Sequence, residues 1–426
     1  MAKFNVLVFP AGEVNSVELH TALSSNVNIN LFGASSIDRH GPYIFKNYIS
    51  GLPMITDDGF IDHLNKIIQK NSIDLIIPTH DTVALYFAEH NNQISTKVLT
   101  PNYNTAKICR SKKETYTLFH DCSFVPQTYN INAKFDFPVF IKPDKSEGGK
   151  GTKFISSKTE LAAVDGIEDY VISEYLPGEE LTVDCITDHK GALKGVFPRS
   201  RQRTYCGVSV AGRALTSTPK ILEIAKTINQ RLIFMGMWFF QLKEDKMGNY
   251  KLLEVAMRIP CGMCLTRARG VNLPLLSVYS AMDQDIEVKS NNYSVQMDRT
   301  FINRYKTDLE YEHVYLDFDD TLINKEIVNL DIIRFVFQCV NKGKNIHLLT
   351  KHESDIYGSL NHFHIDQNLF FEILQIPMGD EKYKYITPDK AIFIDNSYRE
   401  RQSAMIKCGI PVFDIDTIEV LLDWRK

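Results

Sequence analysis

Apolar and polar positions in the first hundred residues alternate between the spacing of β-strands and the spacing of amphipathic helices. In chain order, the segments with these spacings are 4–9, 13–23, 27–33, 60–70, 73–79 and 81–90. Strands that alternate with helices in this way are typical of βαβ units. The pattern therefore predicts an open parallel sheet and the α/β fold class.

Ligands of such sheets bind beyond the carboxyl ends of the strands. The residues that follow the predicted strands there are Gly12, Glu13, Thr79, His80 and Asp81. We treat them as candidate ligand contacts. For Thr79 and Asp81, capping of a helix is the favoured interpretation.

A glycine-rich polar loop separates two strand-like runs, 137–143 and 152–155. It carries Gly148, Gly149 and Gly151, with a lysine between them. Glycine lets backbone N–H groups approach an anion closely, and lysine supplies positive charge, so the hairpin is a candidate anion-binding loop. It matches neither the Walker motif nor GxGxxG. Taken alone, a flexible hairpin without a ligand is an equal alternative.

Later segments place acidic, amide and basic side chains on predicted strands. In 170–188, an acidic residue after a Leu-Pro-Gly turn could bond a ribose or be a solvated charge. Adjacent strands put Gln241 opposite Glu254, and a carboxylate beside an amide oxygen suits magnesium. Arg258 is predicted on the same face as Glu254. The arginines predicted to share one face of another strand are Arg199, Arg201 and Arg203.

Composition narrows the classes of partner. The chain has 426 residues, enough for two to four domains. Its net charge is −4 without blocks of like charge, so we expect neither nucleic acid nor membrane as a partner. Its longest nearly apolar run, 232–242, is too short for a bilayer, and the three residues before the first strand leave us expecting no signal peptide.

The eight cysteines are dispersed along the chain, which suits a reducing compartment, and we expect a cytoplasmic protein. Cys261 and Cys264 form a CxxC without a second pair, so we interpret them as ordinary thiols. Residues 290–312 are predicted to lead into a new α/β unit. The predicted domains are 1–105, 106–289 and 313–426, with 290–312 as a linker.

Residues 106–289 resemble the ATP-grasp superfamily, in particular its carboxylate–amine ligases and its carbamoyl-phosphate-synthase-like branch. The matching segments are SKKETY around Lys112, FIKP with Lys142, SEGGKGT, SEYLPGEELTVD, the strand pair with Gln241, Glu254 and Arg258, and GVNLP at 270–274. The resemblance implies ATP and Mg²⁺, with Mn²⁺ as an alternative ion. It also implies that residues 1–105 form the domain that precedes the ATP-grasp domain in this superfamily.

By this resemblance, two lysines hold the ATP phosphates, the 146–151 loop closes over them, a hinge contacts adenine and an acidic residue contacts ribose. The residues that would take these roles are Lys112, Lys142, Gly148, Gly149, Gly151, Glu174, Leu176 and Glu180. Gln241 and Glu254 would hold the metal, and Arg258 would contact the transferred phosphoryl group. The asparagine usual two residues after the metal-binding glutamate is Ala256 here. Either one ion suffices, or another oxygen substitutes, or catalysis is weakened.

The C-terminal segment has strand-like runs that end in polar residues, among them a DxDxT sequence. These residues are Asp317, Asp319, Thr321, Thr350 and Asp395, with Lys382 before the last strand. The set resembles the haloacid-dehalogenase (HAD) superfamily, which implies a HAD-like Rossmannoid domain. The short stretch between Thr321 and Thr350 leaves no room for an inserted cap domain.

The HAD resemblance implies an aspartate nucleophile, Asp317, and a general acid and base, Asp319. Thr350 and Lys382 would hold phosphoryl oxygens. The implied magnesium residues are Asp317, Asp319 and Asp395. Many relatives carry two acids in the last motif, where Asn396 follows the first here.

The expected function combines a ligase that joins a small-molecule carboxylate to an amine with a phosphatase that acts on a phosphorylated metabolite. A homodimer is one assembly that we consider. Two alternatives stay open. The ATP-grasp part could be a small-molecule kinase, or the chain could be a nucleotide-binding scaffold in which Ala256 and Asn396 mark weakened sites.

Overall fold

The computed structural model describes residues 3–387 and 389–425. It divides into two compact units, a first that ends at Phe301 and a second that spans Ile302–Arg425. The division falls inside the predicted linker, 290–312.

The first unit begins with a five-stranded parallel sheet in the order β3-β2-β1-β4-β5, which confirms the predicted open parallel sheet. Its strands are β1 (Phe4–Phe9), β2 (Ile29–Ala34), β3 (Asn47–Ile49), β4 (Leu75–Pro78) and β5 (Lys97–Val98). Its helices are α1 (Val14–Leu23), α2 (Gly41–Ile44), α3 (Phe60–Asn71) and α4 (Asp81–Glu89). The strands are nearly continuous apolar runs because helices cover both faces of such a sheet.

Helices α5 (Tyr103–Arg110) and α6 (Lys112–Leu118) lead into an antiparallel sheet in the order β6-β9-β7-β8. The elements of this part are β6 (Thr128–Tyr129), β7 (Val139–Pro143), β8 (Lys153–Ile155), α7 (Lys158–Ala162) and β9 (Tyr170–Glu174). Strands β7 and β8 form the predicted hairpin with the glycine-rich loop at its tip.

A second antiparallel sheet follows in the order β11-β10-β14-β15, and a small three-stranded sheet joins β12, β13 and β16. The strands are β10 (Glu180–Thr187), β11 (Leu193–Ser200), β12 (Arg203–Tyr205), β13 (Val208–Arg213), β14 (Gly236–Glu244), β15 (Tyr250–Ala256) and β16 (Gln296–Asp298). The helices are α8 (Pro219–Arg231), α9 (Cys264–Ala268) and α10 (Leu273–Ala281). Strands β9 and β10 belong to different sheets, so the turn at 176–178 carries the chain from one sheet to the other.

The N-terminal sheet and the β10–β14 sheet share one hydrophobic cluster. Val6 and Leu75 of the first sheet belong to it together with Ile186 and Met237 of the second. Because interiors are close-packed, this shared core fixes the ends of β4 relative to β15. That relation matters because polar residues follow both strands.

The predicted face of three arginines is wrong. Strand β11 ends at Ser200, and Arg203 begins a new strand in another sheet. Arg199 is buried against Asp184, Arg201 pairs with Glu180, and Arg203 pairs with Asp298 at the surface. Alternation along a strand could not predict this, because the strand does not continue through the three positions.

The second unit is built on a five-stranded parallel sheet in the order β21-β20-β17-β22-β23, with a small β18–β19 hairpin. The strands are β17 (His313–Leu316), β18 (Ile323–Asn324), β19 (Ile327–Val328), β20 (Asn345–Thr350), β21 (Glu372–Gln375), β22 (Ala391–Ile394) and β23 (Val412–Phe413). The helices are α11 (Leu330–Asn341), α12 (Ile356–His362) and α13 (Tyr398–Cys408). Between Thr321 and Thr350, a stretch described throughout, only the hairpin, α11 and β20 occur, so no cap domain is inserted there.

We predict that the buried pair of Asp184 and Arg199 is needed for stability. The Arg199 Nε lies 3.2 and 3.1 Å from the two Asp184 carboxylate oxygens, and Thr266 Oγ1 donates to the same carboxylate at 2.8 Å. Asp184→Asn leaves a buried guanidinium without its counter-ion. We expect a loss of about 3–5 kcal/mol of unfolding free energy, measured by denaturant titration.

Asp298→Asn is the matched control, because Asp298 and its partner Arg203 are 67% and 59% exposed. Exposed pairs of this kind contribute little, so no measurable change is expected. Equal unfolding free energies for Asp184→Asn and the wild type would contradict the prediction.

Candidate active sites

Lys142 is a buried cation in the first unit. It lies on β7 between apolar neighbours, and the alternation of the strand turns it away from Val139 and Ile141. Its Nζ donates to the Tyr116 hydroxyl oxygen at 2.5 Å. Burial first, and then the neighbouring Lys112, lower the pKa of Lys142 to about 7. A buried ammonium with a pKa so low is a candidate contact for an anion.

Lys112 is the first residue of α6 and points toward the glycine-rich loop. Its Nζ donates to the carbonyl oxygens of Asp144 at 3.2 Å and Ser146 at 3.4 Å. Burial lowers the pKa of Lys112, while the charge of Glu254 opposes that shift. Glu254 acts on Lys142 in the same way, so both lysines face one carboxylate.

Glu254 and Gln241 are directly paired across the β14–β15 hairpin, in the register predicted from the sequence. Burial raises the pKa of the Glu254 carboxyl, against the charge of Lys112. A half-buried carboxylate beside an amide oxygen suits a hard divalent cation. Ala256, two residues further on, offers no side-chain oxygen.

A small cavity of about 20 Å³ lies between these groups. Its charged lining residues are Asp81, Arg110, Lys112, Glu147, Glu254 and Arg258. The structure thus brings together the predicted phosphate lysine, metal carboxylate and phosphoryl-contact arginine. It adds Arg110, which sequence reasoning did not assign to the site, together with Asp81 from the candidate contacts of the N-terminal sheet and Glu147 from the predicted loop.

Asp81 comes into this cavity from the N-terminal sheet. Its carboxylate accepts a hydrogen bond from Arg258 Nε at 2.7 Å. The prediction that Thr79 and Asp81 cap a helix is wrong. The cap of α4 is His80, whose Nδ1 accepts from the Thr82 N–H at 3.3 Å. Thr79 instead donates to the Pro10 carbonyl oxygen at 2.7 Å.

The glycines of the loop are required by its backbone. Gly148, Gly149 and Gly151 have φ values of +61°, +71° and +75°, a region that side chains with a Cβ rarely adopt. Glu147 precedes them and forms ion pairs with His80 and Arg110. The loop is therefore folded over the cavity and tied to elements outside it.

The predicted adenine and ribose contacts lie where the chain passes between its two sheets. The Glu174 carboxylate accepts from the Gln127 N–H at 2.9 Å, and Leu176 is buried. The Glu180 carboxylate lies 2.7 Å from Arg201 Nε. Arg201 was not assigned to the site from the sequence, because its partner is fixed by sheet pairing and not by spacing along the chain.

Polar side chains also follow two neighbouring strands in the second unit. Asp317 follows β17, Asp395 follows β22, and Lys382 Nζ donates to both, at 2.5 and 2.7 Å. All three are buried. Burial first, and the nearby Asp395, raise the pKa of Asp317 to about 6. Thr321 donates to the second Asp317 oxygen at 3.2 Å.

Asp319 is half-exposed and contacts a histidine that sequence reasoning missed. His352 Nδ1 lies 2.9 and 3.0 Å from its two carboxylate oxygens, and His352 Nε2 lies 2.7 Å from Ser359 Oγ. Thr350 Oγ1 lies 3.4 Å from the same carboxylate. His352 comes two residues after Thr350, so its closeness to the end of β20 was the available signal.

Neither unit contains, among its described residues, a group of three or more His, Cys, Asp or Glu side chains that could hold a metal by themselves. Magnesium bound at either site would therefore depend on further oxygens, such as those of phosphate and water.

Burial raises the pKa values of Cys261 and Cys264, which agrees with their interpretation as ordinary thiols. Across the described helices, none is both long and apolar enough to cross a bilayer.

The chain is similar to known proteins in both sequence and fold. Residues 166–302 match the family model described as ATP-grasp in the biosynthetic pathway with Ter operon. The carbamoyl phosphate synthase large chain of Pyrococcus furiosus is 24% identical over 181 residues, which are 38% of this chain and 17% of that relative. This chain thus aligns with less than a fifth of that relative's length.

Two solved structures share the fold. The biotin carboxylase domain of 2-oxoglutarate carboxylase from Hydrogenobacter thermophilus, in complex with MgADP, ADP and bicarbonate, has a TM-score of 0.56 at 15% identity, covering 68% of this chain and 72% of its own. The L-amino acid ligase from Bacillus licheniformis has a TM-score of 0.53 at 15% identity, covering 66% and 75%. Residues 166–302 of this chain are thus similar to an ATP-grasp family model, and the chain shares its fold with these two structures.

Proposed function

We propose that the first unit is an ATP-dependent ligase that joins a carboxylate to an amine. The observation that carries this proposal is the convergence of Lys112, Glu254 and Arg258 on one cavity beneath a glycine-rich loop. The ATP-grasp family match and the fold shared with an MgADP complex and an L-amino acid ligase support it.

In the proposed reaction, a substrate carboxylate oxygen attacks the γ-phosphorus of ATP and ADP leaves. The amine nitrogen then attacks the acyl phosphate, phosphate leaves with the bonding electrons, and the nitrogen loses a proton. The chain contributes mainly positioning and charge, as is usual in phosphoryl transfer. Lys112 and Lys142 would neutralise phosphate oxygens, and Arg258, held by Asp81, would face the transferred group.

Gln241 and Glu254 would hold a magnesium ion there. Their facing positions and the raised pKa of Glu254 fit a hard cation. When bound, the ion would neutralise charge on the phosphates. With Ala256 in place of an oxygen-bearing side chain, we propose one protein-held ion.

For the second unit we propose a phosphatase of the HAD type. Asp317 and Asp395 lie at adjacent strand ends and share Lys382, which would leave Asp317 to attack phosphorus and Lys382 to hold phosphoryl oxygens. Asp319, held by His352, would protonate the leaving oxygen and then activate water. Asp317 and Asp395 would hold magnesium, and the substrate would be a phosphorylated small molecule.

Two substitutions test whether the ligase and phosphatase activities belong to separate units. Glu254→Ala removes the only carboxylate of the proposed metal pair, so ADP release should fall at least about a hundredfold while phosphatase activity is retained. Asp317→Asn removes the proposed nucleophile and should give the reverse result. Both activities are measured on each variant, as ADP release with pooled amino acids and sugar acids and as phosphate release from small phosphate esters.

Each variant is the control for the other, because each should lose one activity and retain the one that the other loses. Loss of both activities in one correctly folded variant would contradict two independent sites. ADP release without an amine, leaving a stable phosphorylated product, would favour a kinase instead. Nucleotide binding without turnover by either unit would favour a scaffold.

We expect Lys142 to take up a proton when a nucleotide binds. Its pKa is about 7 in the free chain, and phosphate beside it would raise that value. At pH 8 the free lysine is then mostly neutral and the bound lysine charged, so MgADP binding should take up close to one proton. At pH 6 the lysine is already charged and the uptake should vanish.

The measurement is calorimetric titration with MgADP in buffers of different ionisation enthalpy. Lys142→Met removes the titrating group and should abolish the uptake at pH 8. An unchanged proton uptake in that variant would assign it to another group.

A further inference from the structure

Glu147 is the acidic residue of the glycine-rich loop, and two basic side chains outside the loop hold it. His80 Nε2 lies 2.8 Å from one carboxylate oxygen, and Arg110 Nη2 lies 2.9 Å from the other. Each oxygen thus has its own N–H donor. Two such charge-assisted contacts on one carboxylate fix its orientation as well as its position.

His80 and Arg110 are themselves held in place. His80 caps α4, with its Nδ1 accepting from the Thr82 N–H, so its Nε2 is the nitrogen that carries the proton toward Glu147. Arg110 Nη2 also lies 3.3 Å from the Thr82 hydroxyl. The partners of Glu147 therefore come from the starts and ends of rigid helices, α4 and α5.

The electrostatics agree with a strong contact. The hydrogen bond from His80 is the first cause that lowers the pKa of Glu147, to about 2, and the same bond raises the pKa of His80. Asp81 and Glu13 also raise the pKa of His80, while Arg110 and Arg258 also lower that of Glu147. The Glu147 carboxylate therefore stays charged well below the pH at which a free glutamate is protonated.

A second contact supports the other side of the loop. A Cβ at Gly207 would lie 2.2 Å from the Gly148 carbonyl oxygen, so the β12–β13 turn packs directly against the loop. Arg201 Nη2 donates to the Gly207 carbonyl oxygen at 3.2 Å and also lies against Glu180. The loop is thus enclosed between α4 and α5 on one side and the β12–β13 turn on the other.

We propose that Glu147 is a positioning residue that keeps the glycine-rich loop folded over the phosphate cavity before a nucleotide binds, with His80 and Arg110 as its anchors. The proposal rests on the proposed nucleotide-binding function of this cavity. In physical terms, the loop is pre-organised for binding of the nucleotide. A loop that is already ordered does not have to be ordered when the ligand binds. Without the contacts of Glu147, a loop with three glycines at positive φ would lose that conformational entropy when the nucleotide binds.

The direct test uses the nucleotide-free chain and trypsin. Lys150 is exposed inside the loop, so cleavage after it reports loop opening. Glu147→Ala and Arg110→Met should each raise the initial cleavage rate at Lys150 by about tenfold, since either change removes a charge-assisted contact. The double variant should be cut no faster than Glu147→Ala alone. His80→Asn, which keeps a capping side chain but not the reach to Glu147, should behave like the single variants.

Glu168→Gln is the matched control, because it removes one exposed carboxylate from the same part of the chain. It should leave the cleavage rate unchanged. The thermal midpoint should not change in any variant, which separates loop opening from global unfolding. Equal cleavage of wild type and Glu147→Ala, or strictly additive effects of Glu147→Ala and Arg110→Met, would overturn the proposal.

MgADP affinity is the second readout. Glu147→Ala should weaken it by about tenfold, in proportion to the opening of the loop. If the wild type bound no MgADP, the proposed function would fail, while the cleavage test of the loop would still decide the role of Glu147. An altered cleavage rate with unaltered MgADP affinity would overturn the link between loop order and binding.

Discussion

The structure of the first unit depends on burying positive charge where no protein anion fully compensates it. Lys142 is 5% exposed and is held by a phenol oxygen and a carbonyl oxygen. Burial of an ammonium is costly unless it is paired, and here the cost appears as a depressed pKa. Lys112 beside it adds to that cost. A fold that carries such groups is suited to an anionic ligand, whose charge would offset the free-energy cost of desolvating the ammonium groups.

The second unit shows the opposite balance of charge. Two buried carboxylates, Asp317 and Asp395, share one ammonium group, that of Lys382. The excess there is negative. Burial first, and then the charge of Asp395, raise the pKa of Asp317, while Lys382 opposes the shift. A centre of this kind suits a cation together with a phosphoryl group. The first unit thus has an excess of buried positive charge at its site, and the second unit has an excess of buried negative charge.

Sequence reasoning succeeded where local geometry decides the contact. The hairpin of β14 and β15 is joined by a short turn, so Gln241 and Glu254 were expected to face each other, and a register shift between Gln241 and Leu242 completes their pairing. It failed where the contact depends on packing between distant elements. Asp81 meets Arg258 across 177 positions of the chain, and only the core shared by the two sheets brings them together. His352 and Arg201 were missed for a different reason, because neither belongs to a recognisable motif.

The Arg258–Asp81 pair also bears on the departure at Ala256. An oxygen ligand at that position would add coordination for a second ion. The cavity instead has Asp81 on Arg258, so one of its acids already neutralises an arginine. Lys112, Lys142 and Arg258 all lie near Glu254, and in the proposed complex these side chains would share with the metal the neutralisation of the phosphates. Since Ala256 offers no side-chain oxygen and Asp81 is bound to Arg258, Gln241 and Glu254 are left as the facing oxygen-bearing pair, which fits the proposal of one metal ion.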